Sequence, residues 1–571
     1  MKKIYALLSQ FLCCCTIMAQ TVLIQNVTTI DVENATATPG QYILIRDGLI
    51  QKISDRPISA PNATLIEGSN TYVLPGFIDT HIHFFQTGSL YTRPDALDMT
   101  AYVPYEKEMA FAQELAFDSF KRYLRLGITT VMDVGGPFQN FKVRDQMATA
   151  TVAPNVLVTG PLFSPYQPKA FAKLEDQPIA KITSIADADA LFDQMLPKNP
   201  DFIKIWYIDS PETPAAQFFP IAQHIAQRAH QNNLKLAVHA TQLKTARLAV
   251  KAGADILVHS VDDQRVDMAF AKALKDKDVL YIPTLIVSNN YIKAFAAQPA
   301  DHPQDLAFAN PKAYGSLKDV LHYSEQELPA VIPMVRDNFE MLQQRNARKD
   351  SIMFNNLKFL VDQGVRIATG TDAGNIGTMH AASYLQELEL MQQSGLTLPQ
   401  ILKASTIDAA HGFGLAHKLG SIKEGKQADL VLYRNNPLEA LAHLNSMTHT
   451  IVAGKVLAVS SLIQETPEQI VQRQLNAYNA RDIEAFLNTY ADDIELYNFP
   501  DELRSKGKQA MREGYASFFE NTKDLHCEIK NRIVLGNKVI DQEYITANGN
   551  NFGAVAIYEV DKGKIVKVTF L

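Results

Sequence analysis

Residues 74–83 read Leu-Pro-Gly-Phe-Ile-Asp-Thr-His-Ile-His, an apolar run that ends in two histidines. The apolar run predicts a β-strand that ends at His83. Alternate residues of a strand point to the same side, so His81 and His83 present their imidazoles together. Two imidazoles on a rigid strand end suit a metal ion, but such an ion needs further ligands from elsewhere in the chain.

Seven further apolar segments follow this strand, and amphipathic helical segments separate most of them. The eight predicted strands cover residues 77–83, 129–134, 156–159, 202–206, 236–239, 256–259, 279–283 and 365–371. This α/β alternation predicts a (β/α)8 TIM barrel over residues 75–415. That span is longer than the barrel's usual length of about 250 residues. Much of the surplus is a largely helical insertion at 284–364, which is either a lid over the site or a peripheral decoration.

Short predicted strands also flank the barrel on both sides. Residues 20–74 contain several strands separated by glycine-rich turns, and residues 416–461 contain a matching set. Neither piece can bury a sizeable core alone. We therefore expect the two pieces to fold together as one small β-sandwich beside the barrel.

The N-terminal segment predicts export from the cytoplasm. Two lysines precede an apolar run that ends near Ala19, so residues 1–19 resemble a signal peptide of a periplasmic or secreted protein. A lipoprotein anchor at Cys15 is the less favoured alternative, because Cys14 stands where a small residue is usual. After cleavage only Cys527 remains, which excludes an internal disulfide.

The amino-acid composition of the chain limits the kinds of molecule that it is expected to bind. Of the 571 residues, 47% are hydrophobic and 20% are charged, as is typical of a soluble globular protein. The net charge of −7 argues against a nucleic-acid-binding surface. The N-terminal apolar run is too short to span a membrane in the mature protein, so we expect no membrane span.

Further candidate metal ligands lie on other predicted barrel strands. Lys204 interrupts the apolar fourth strand, where a buried lysine is costly unless it is neutralised or paired. His239, His259 and Asp372 end the fifth, sixth and eighth strands. Catalytic groups of a barrel lie at these strand ends, so the residues together predict a metal centre.

With these residues, positions 21–460 resemble the amidohydrolase superfamily. The resemblance rests on the opening 75–83 segment, on Val-His-Ala at 238–240 and on Val-His-Ser at 258–260. It also rests on Thr-Asp-Ala-Gly at 371–374 and on the closing segment at 420–431. Within the superfamily the chain is most similar to the imidazolonepropionase-related and prolidase-like branch.

The resemblance implies two divalent metal ions. His81 and His83 would hold one ion, and His239 and His259 would hold the other. Lys204, as a carbamate, would bridge the two ions and exchange a costly buried cation for an anionic ligand. Zinc is the expected metal, because the ligand set is rich in imidazole.

The implied reaction is hydrolysis of an amide-type C–N bond in a cyclic amide, a small amide or a dipeptide. A hydroxide that bridges the metals would attack the carbonyl. Asp372 would contact a metal and carry the proton to the leaving nitrogen. His380 is predicted to take part in catalysis or substrate binding, and a surface histidine is the alternative. Trp206 and Tyr207 are predicted to line the pocket, Tyr207 as a substrate-binding residue. Core packing is the alternative for Trp206.

Two other functions remain open from the sequence. A mononuclear deaminase on the same barrel usually has an acid soon after the fifth-strand histidine, where this chain has Gln242. Lys204 also favours the two-metal hydrolase. An exported binding protein without catalysis is the second alternative, and the complete ligand set argues against it.

Residues 466–571 resemble the SnoaL-like cone fold, related to nuclear transport factor 2 and shared with ketosteroid isomerase. The resemblance rests on residues 474–486, 490–493 and 499–500. Predicted helices at 468–478, 483–491 and 507–519 precede strands at 525–534, 538–545, 553–560 and 564–570, an α+β pattern. Such a domain can hold a small ligand or form a homo-oligomer. We expect it to fold independently and to contribute no metal ligand.

Overall fold

The computed structural model describes residues 21–298 and 302–571. The predicted signal peptide at residues 1–19 lies outside these described residues. Within the described ranges, no helix combines the length and the apolar character that crossing a membrane requires.

Five strands precede the predicted barrel. They are β1 (Thr21–Asp31), β2 (Thr36–Arg46), β3 (Leu49–Ser54), β4 (Thr64–Glu67) and β5 (Tyr72–Pro75). Strand β1 is bulged, and it pairs with β4 through its first half and with β5 through its second half. This bulge lets one strand support two neighbours on the same edge.

The chain then alternates between parallel strands and helices. The strands are β6 (Phe77–Ile82), β7 (Ile128–Asp133), β8 (Asn155–Val158), β9 (Leu162–Ser164), β10 (Ile179–Lys181), β11 (Ile203–Trp206), β12 (Leu236–His239), β13 (Ile256–Val258) and β14 (Leu280–Ile282). The helices are α1 (Tyr105–Arg125), α2 (Gln139–Thr149), α3 (Ile185–Met195), α4 (Ala215–Gln231), α5 (Leu243–Ala252) and α6 (Met268–Asp276). The strands form two parallel sheets, β6–β7–β8 and β10–β9–β11–β12–β13–β14.

The predicted eighth strand at 365–371 is wrong as a regular strand. The segment forms isolated bridges instead, from Ile367 to β14 and from Ala373 to β6. The amide of Thr371 donates to the carboxylate of Asp79 at 3.1 Å rather than to a backbone carbonyl. This side-chain bond and the positive φ of Asp372 interrupt a regular ladder. The segment nevertheless bonds to both parallel sheets.

The insertion is helical, as predicted. It contains α7 (Val287–Phe295), α8 (Pro303–Phe308), α9 (Pro311–Gly315), α10 (Val331–Asp337) and α11 (Phe339–Asp362). After the eighth segment come α12 (Ala382–Gln393), α13 (Leu398–Ala404) and α14 (Ile407–Gly412).

The strands after the barrel region return to the first sheet. They are β15 (Leu430–Tyr433), β16 (Met447–Val452) and β17 (Lys455–Ala458). Strand β15 pairs antiparallel with β5, so both ends of the region join as predicted. The strands are hydrogen-bonded into one eight-stranded sheet, because β15 extends the existing ladder through β5. Apolar residues of both pieces share one buried cluster.

The C-terminal residues form an α+β unit. Its helices are α15 (Pro467–Ala480), α16 (Ile483–Leu487) and α17 (Lys508–Asn521). Its strands are β18 (Tyr490–Asn498), β19 (Glu502–Lys506), β20 (His526–Leu535), β21 (Lys538–Ala547), β22 (Asn550–Asp561) and β23 (Lys564–Phe570). The predicted helix at 483–491 is too long, since β18 begins at Tyr490 and pairs in parallel with the distant β23.

Candidate metal centre

The six predicted metal ligands share one cavity of about 240 Å³. The ends of β6, β11, β12 and β13 and the eighth segment bring them together from positions far apart in the chain. This is the end of a parallel sheet at which catalytic groups are expected. The six ligands in the cavity wall are His81, His83, Lys204, His239, His259 and Asp372.

One group of ligand atoms is especially compact. The Nε2 atoms of His81 and His83 are 3.2 Å apart, and they lie 3.2 and 3.1 Å from Oδ1 of Asp372. His259 joins them, because His81, His259 and Asp372 each offer a ligand atom within 4.8 Å of the others. The ring of His259 also lies 4.4 Å from that of His239. His259 therefore connects the two histidine pairs that the resemblance separates.

Hydrogen bonds orient two of the imidazoles toward the centre. Nδ1 of His83 lies 2.7 Å from the carbonyl oxygen of Gly135, so this nitrogen donates its proton there. Nδ1 of His259 lies 2.6 Å from the hydroxyl of Thr284. The Nε2 lone pair of His83 is therefore left for the cavity, as in metal sites whose second nitrogen is held by a neighbour.

Unpartnered atoms show that this donor set fits divalent metal ions. Within the described chain, the buried atoms His81 Nδ1 and Asp372 Oδ1 have no hydrogen-bond partner. Buried polar atoms without partners are rare in folded proteins, and a bound ion is one explanation for them. Converging imidazole nitrogens and a carboxylate oxygen are ordinary ligands of zinc.

Burial keeps most of these groups uncharged. It lowers the pKa of His81 to about 4 and that of His239 to about 3. It also lowers the pKa of Lys204 to about 7, and no described side chain forms a salt bridge or hydrogen bond with its ammonium group. Burial alone would raise the pKa of Asp372, but the imidazoles of His81 and His83 hold it well below its ordinary value. The centre thus combines one ionised carboxylate with three imidazoles and an amine whose burial favours the uncharged form.

Backbone strain accompanies two of the ligands. His259 has a φ of 74° and Asp372 a φ of 58°, in the left-handed region that non-glycine residues seldom occupy. Each such residue costs on the order of 1 to 3 kcal/mol, and these conformations cluster at functional sites.

Two buried carboxylates behind the ligands were missed by sequence reasoning. Asp79 accepts hydrogen bonds from the amide and hydroxyl of Thr371, at 3.1 and 2.7 Å, and ties β6 to the eighth segment. Asp133 ends β7 and accepts a 2.5 Å bond from Asn140. Burial raises the pKa of both acids to about 7. A charged residue within or at the end of a buried strand could have revealed each of these two aspartates from the sequence.

The structure places His380 and Tyr207 outside the cavity wall. Nε2 of His380 lies 2.8 Å from the carbonyl of Gln86 and Nδ1 lies 3.0 Å from the hydroxyl of Tyr123, so both ring nitrogens are engaged. The Tyr207 hydroxyl donates to the carbonyl of Ala215 at 2.6 Å, and its side chain is buried. These contacts do not favour the roles predicted for the two residues in catalysis and substrate binding, which stay predictions.

Trp206 lines the cavity in place of its neighbour Tyr207. Successive strand residues face opposite sides, so the tryptophan points inward where the tyrosine points away. Core packing was the alternative for Trp206, and its place in the cavity wall favours the pocket role.

Arg93, Tyr291 and Asn375 also line the cavity, and no local sequence pattern marks them as cavity residues. Arg93 makes two 2.7 Å bonds to Asp95, which balance its charge. It also donates to Tyr291 at 3.2 Å, and Tyr291 donates to Asn375 at 2.7 Å. The three residues come from three separate segments and join the insertion to the residues after Asp372.

The chain is similar to known proteins in both sequence and structure. Residues 72–457 match the family described as Amidohydrolase family, and residues 471–568 match a SnoaL-like domain. The crystal structure of a Xaa-Pro dipeptidase with bound methionine is similar, with a TM-score of 0.59 and 20% identity, covering 77% of this chain and 100% of that one. The structure of molinate hydrolase has a TM-score of 0.58 and 17% identity, covering 78% and 97%.

Among curated relatives, the imidazolonepropionase of Geobacillus sp. (strain WCH70) is 35% identical over 113 residues. That match covers 20% of this chain and 24% of the relative, so it spans about a quarter of the relative's length. At such identities the two similar structures show a shared fold, which for these amidohydrolases is an α/β TIM barrel.

Substituting Thr284 by valine tests how His259 is oriented. Thr284→Val keeps the side-chain shape but removes the partner of His259 Nδ1. We expect metal affinity to fall by about 10- to 100-fold, the usual effect of losing such a neighbour. Metal titration of the stripped protein measures this. Thr546→Val, on a strand of the C-terminal sheet, is the matched control, and unchanged affinity in Thr284→Val would contradict the orienting role.

Proposed function

Because the chain belongs to the amidohydrolase family, we propose that it hydrolyses an amide-type C–N bond in a small molecule with two divalent metal ions. The observation that carries this proposal is the convergence of four imidazoles, one carboxylate and one buried lysine in a single cavity. The cavity volume of about 240 Å³ suits a small amide, a cyclic amide or a dipeptide. We also propose export of the mature protein, on the pattern of residues 1–19.

The histidines and Asp372 would hold the ions, and zinc is the expected metal because imidazole predominates. Bound ions would lower the pKa of a shared water toward neutrality and polarise the carbonyl under attack. In this proposal, one eight-stranded barrel is formed by β6, β7, β8, β11, β12, β13, β14 and the eighth segment. The C-terminal unit is a cone that leaves the ligand set to the barrel.

Lys204 would act as a carbamate. With its pKa lowered to about 7, the amine is partly uncharged at neutral pH, and its lone pair can add to carbon dioxide. A nitrogen–carbon bond then forms, the nitrogen releases a proton, and the side chain becomes an anion with two oxygen ligands. This change removes the cost of a buried ammonium and supplies ligands between the two histidine pairs.

Asp372 would move the proton. Its carboxylate is ionised, and Oδ1 lies unpartnered beside the imidazoles, so it can accept a proton from the attacking water. The same carboxyl group can then donate that proton to the leaving nitrogen.

A mononuclear deaminase remains the alternative enzyme. It needs an acid near the fifth-strand histidine, and Gln242 is not an acid and does not line the cavity. Asp262 does line the cavity, but its carboxylate is paired with Lys349 at 2.6 Å. These observations support the two-metal hydrolase, and the complete ligand set argues against an exported protein that only binds.

Removing the Lys204 amine tests the two-metal centre. The wild-type protein should contain about two divalent ions per chain, as two-metal hydrolases do. Lys204→Ala should lose much of this metal, because the bridging ligand is gone, and short-chain carboxylic acids should restore part of the activity. Elemental analysis after dialysis gives the metal content. Lys235→Ala, which removes a surface lysine, is the control. An unchanged content of two ions in Lys204→Ala would contradict the bridging role of Lys204.

Asp372→Asn tests the proton carrier. The amide oxygen can still contact a metal, but the group can no longer take up a proton. We expect metal to be largely retained and kcat to fall by about 10²- to 10⁴-fold, the usual value of a general acid–base group. Turnover of a substrate found by an amidase screen is the measurement. Asp209→Asn, which alters a carboxylate paired with Lys244, is the control. Wild-type turnover in Asp372→Asn would rule out this role.

A further inference from the structure

Two arginines from different parts of the chain meet at the end of helix α8 in the insertion. Arg122 of α1 donates to the carbonyl oxygens of Phe308 and Ala309 at 3.0 and 3.1 Å. Arg473 of α15 donates to the carbonyl of Ala309 at 3.0 Å and to that of Leu306. The last carbonyls of a helix lack partners within the helix, so these arginines satisfy them. The barrel and the C-terminal domain thus hold the same turn of the insertion.

Glu465 balances the charge at this junction. Its Oε2 accepts a 2.9 Å bond from Nε of Arg473, and its Oε1 accepts a 3.2 Å bond from Arg122. Asp118 accepts a further 2.6 Å bond from Arg122, whose side chain is 1% exposed. Burial would raise the pKa of Glu465, but the two arginines hold it below its ordinary value. The pairs form a buried charged network, in which loss of one partner leaves another uncompensated.

Helix α15 also lies closely against α9. Nδ2 of Asn476 donates to the carbonyl of Pro311 at 2.7 Å, and Lys318 donates to the carbonyl of Asn479 at 2.8 Å. A Cβ atom added at Gly315 would come within 2.7 Å of Asn476 Oδ1. The contact between the C-terminal domain and the insertion therefore extends well beyond Arg473.

The insertion contacts the C-terminal domain and also forms part of the cavity wall. Phe295 of α7, Leu306 of α8 and Tyr314 of α9 belong to one apolar cluster, so these helices pack as a unit. Helix α7 supplies part of the cavity wall, including Tyr291, whose hydroxyl donates to Asn375 beside the metal ligands. No described residue of the C-terminal domain lines the cavity. The insertion is therefore one route by which that domain can affect the cavity.

We propose that the C-terminal domain is an intramolecular clamp on the insertion, with Arg473 as a positioning residue that fixes α8 and thereby the α7 wall of the substrate cavity. This role goes beyond hydrolysis, and only its kinetic test rests on the proposed function. It adds to the expectation that this domain folds independently, because removal of the domain should alter the cavity wall.

Hydrogen–deuterium exchange of the full chain tests the clamp without a substrate. Arg473→Met keeps much of the side-chain length and removes the bonds to the α8 carbonyls. We expect amide exchange in both α7 and α8 to become about tenfold faster, since a local constraint is lost. Exchange in strands β6, β7 and β12 should stay unchanged. Unchanged exchange in α7, whether or not α8 responds, would overturn the proposal.

Matched variants separate the clamp from general damage. Arg512→Met removes an arginine that pairs with Glu484 inside the C-terminal domain, and it should leave α7 unchanged. Arg473→Lys should restore part of the protection. Should Arg473→Met fail to fold, Asn476→Ala removes the bond to Pro311 and the bond from Gln472 within α15, and it should raise α7 exchange by a smaller factor. Wild-type exchange in that variant would then overturn the proposal.

Kinetics provide the second readout. In Arg473→Met, KM should rise by about tenfold, because one wall of the substrate cavity is less ordered. Metal content and kcat should stay near wild-type values, since the ligands are untouched. A fall in kcat with unchanged KM would indicate loss of folded enzyme and would overturn the positioning role. Absence of amidase activity in the wild type would count against the proposed function, and the exchange data would still decide the clamp.

Discussion

The burial of several polar side chains in one cavity is the constraint on which the rest of this structure depends. His81, His239 and Lys204 would be charged or partly charged in water, yet burial shifts each pKa toward the uncharged form. Unpaired polar groups in such a cavity are costly, so the fold must compensate them. In the proposed function, divalent ions and a carbamate at Lys204 would supply that compensation, together with the opposing charge of Asp372.

The surrounding backbone is arranged to hold these groups in place. Asp79 links β6 to the eighth segment by accepting hydrogen bonds from Thr371. These side-chain bonds take the place of a regular backbone ladder in that segment. The left-handed conformations of His259 and Asp372 are a further cost borne at the same place. Strain and irregular pairing thus occur where these side chains converge, whereas the ladders that join β11, β12, β13 and β14 have no register shift.

The sequence predicted that the six candidate ligands meet in one cavity, because local rules determine where each side chain lies. Alternation along a strand places His81 beside His83, and parallel strands bring their C-terminal ends together. Long-range packing could not be predicted from local rules. The eighth segment bonds to the side chain of Asp79 instead of forming a regular ladder, and Tyr207 does not line the cavity. The clamp joins Arg473 to Ala309, more than a hundred residues earlier in the chain, and no local pattern marks such a contact.

Anomalous-difference maps from crystals of the full chain, grown with bicarbonate, test the central claim most directly. X-ray fluorescence of the crystal would first identify the metal, and data would then be taken on both sides of its absorption edge. The account predicts two peaks in the cavity, one beside His81 and Asp372 and one beside His239, with carbamate density on Nζ of Lys204. A single peak, or peaks remote from these side chains, would contradict it.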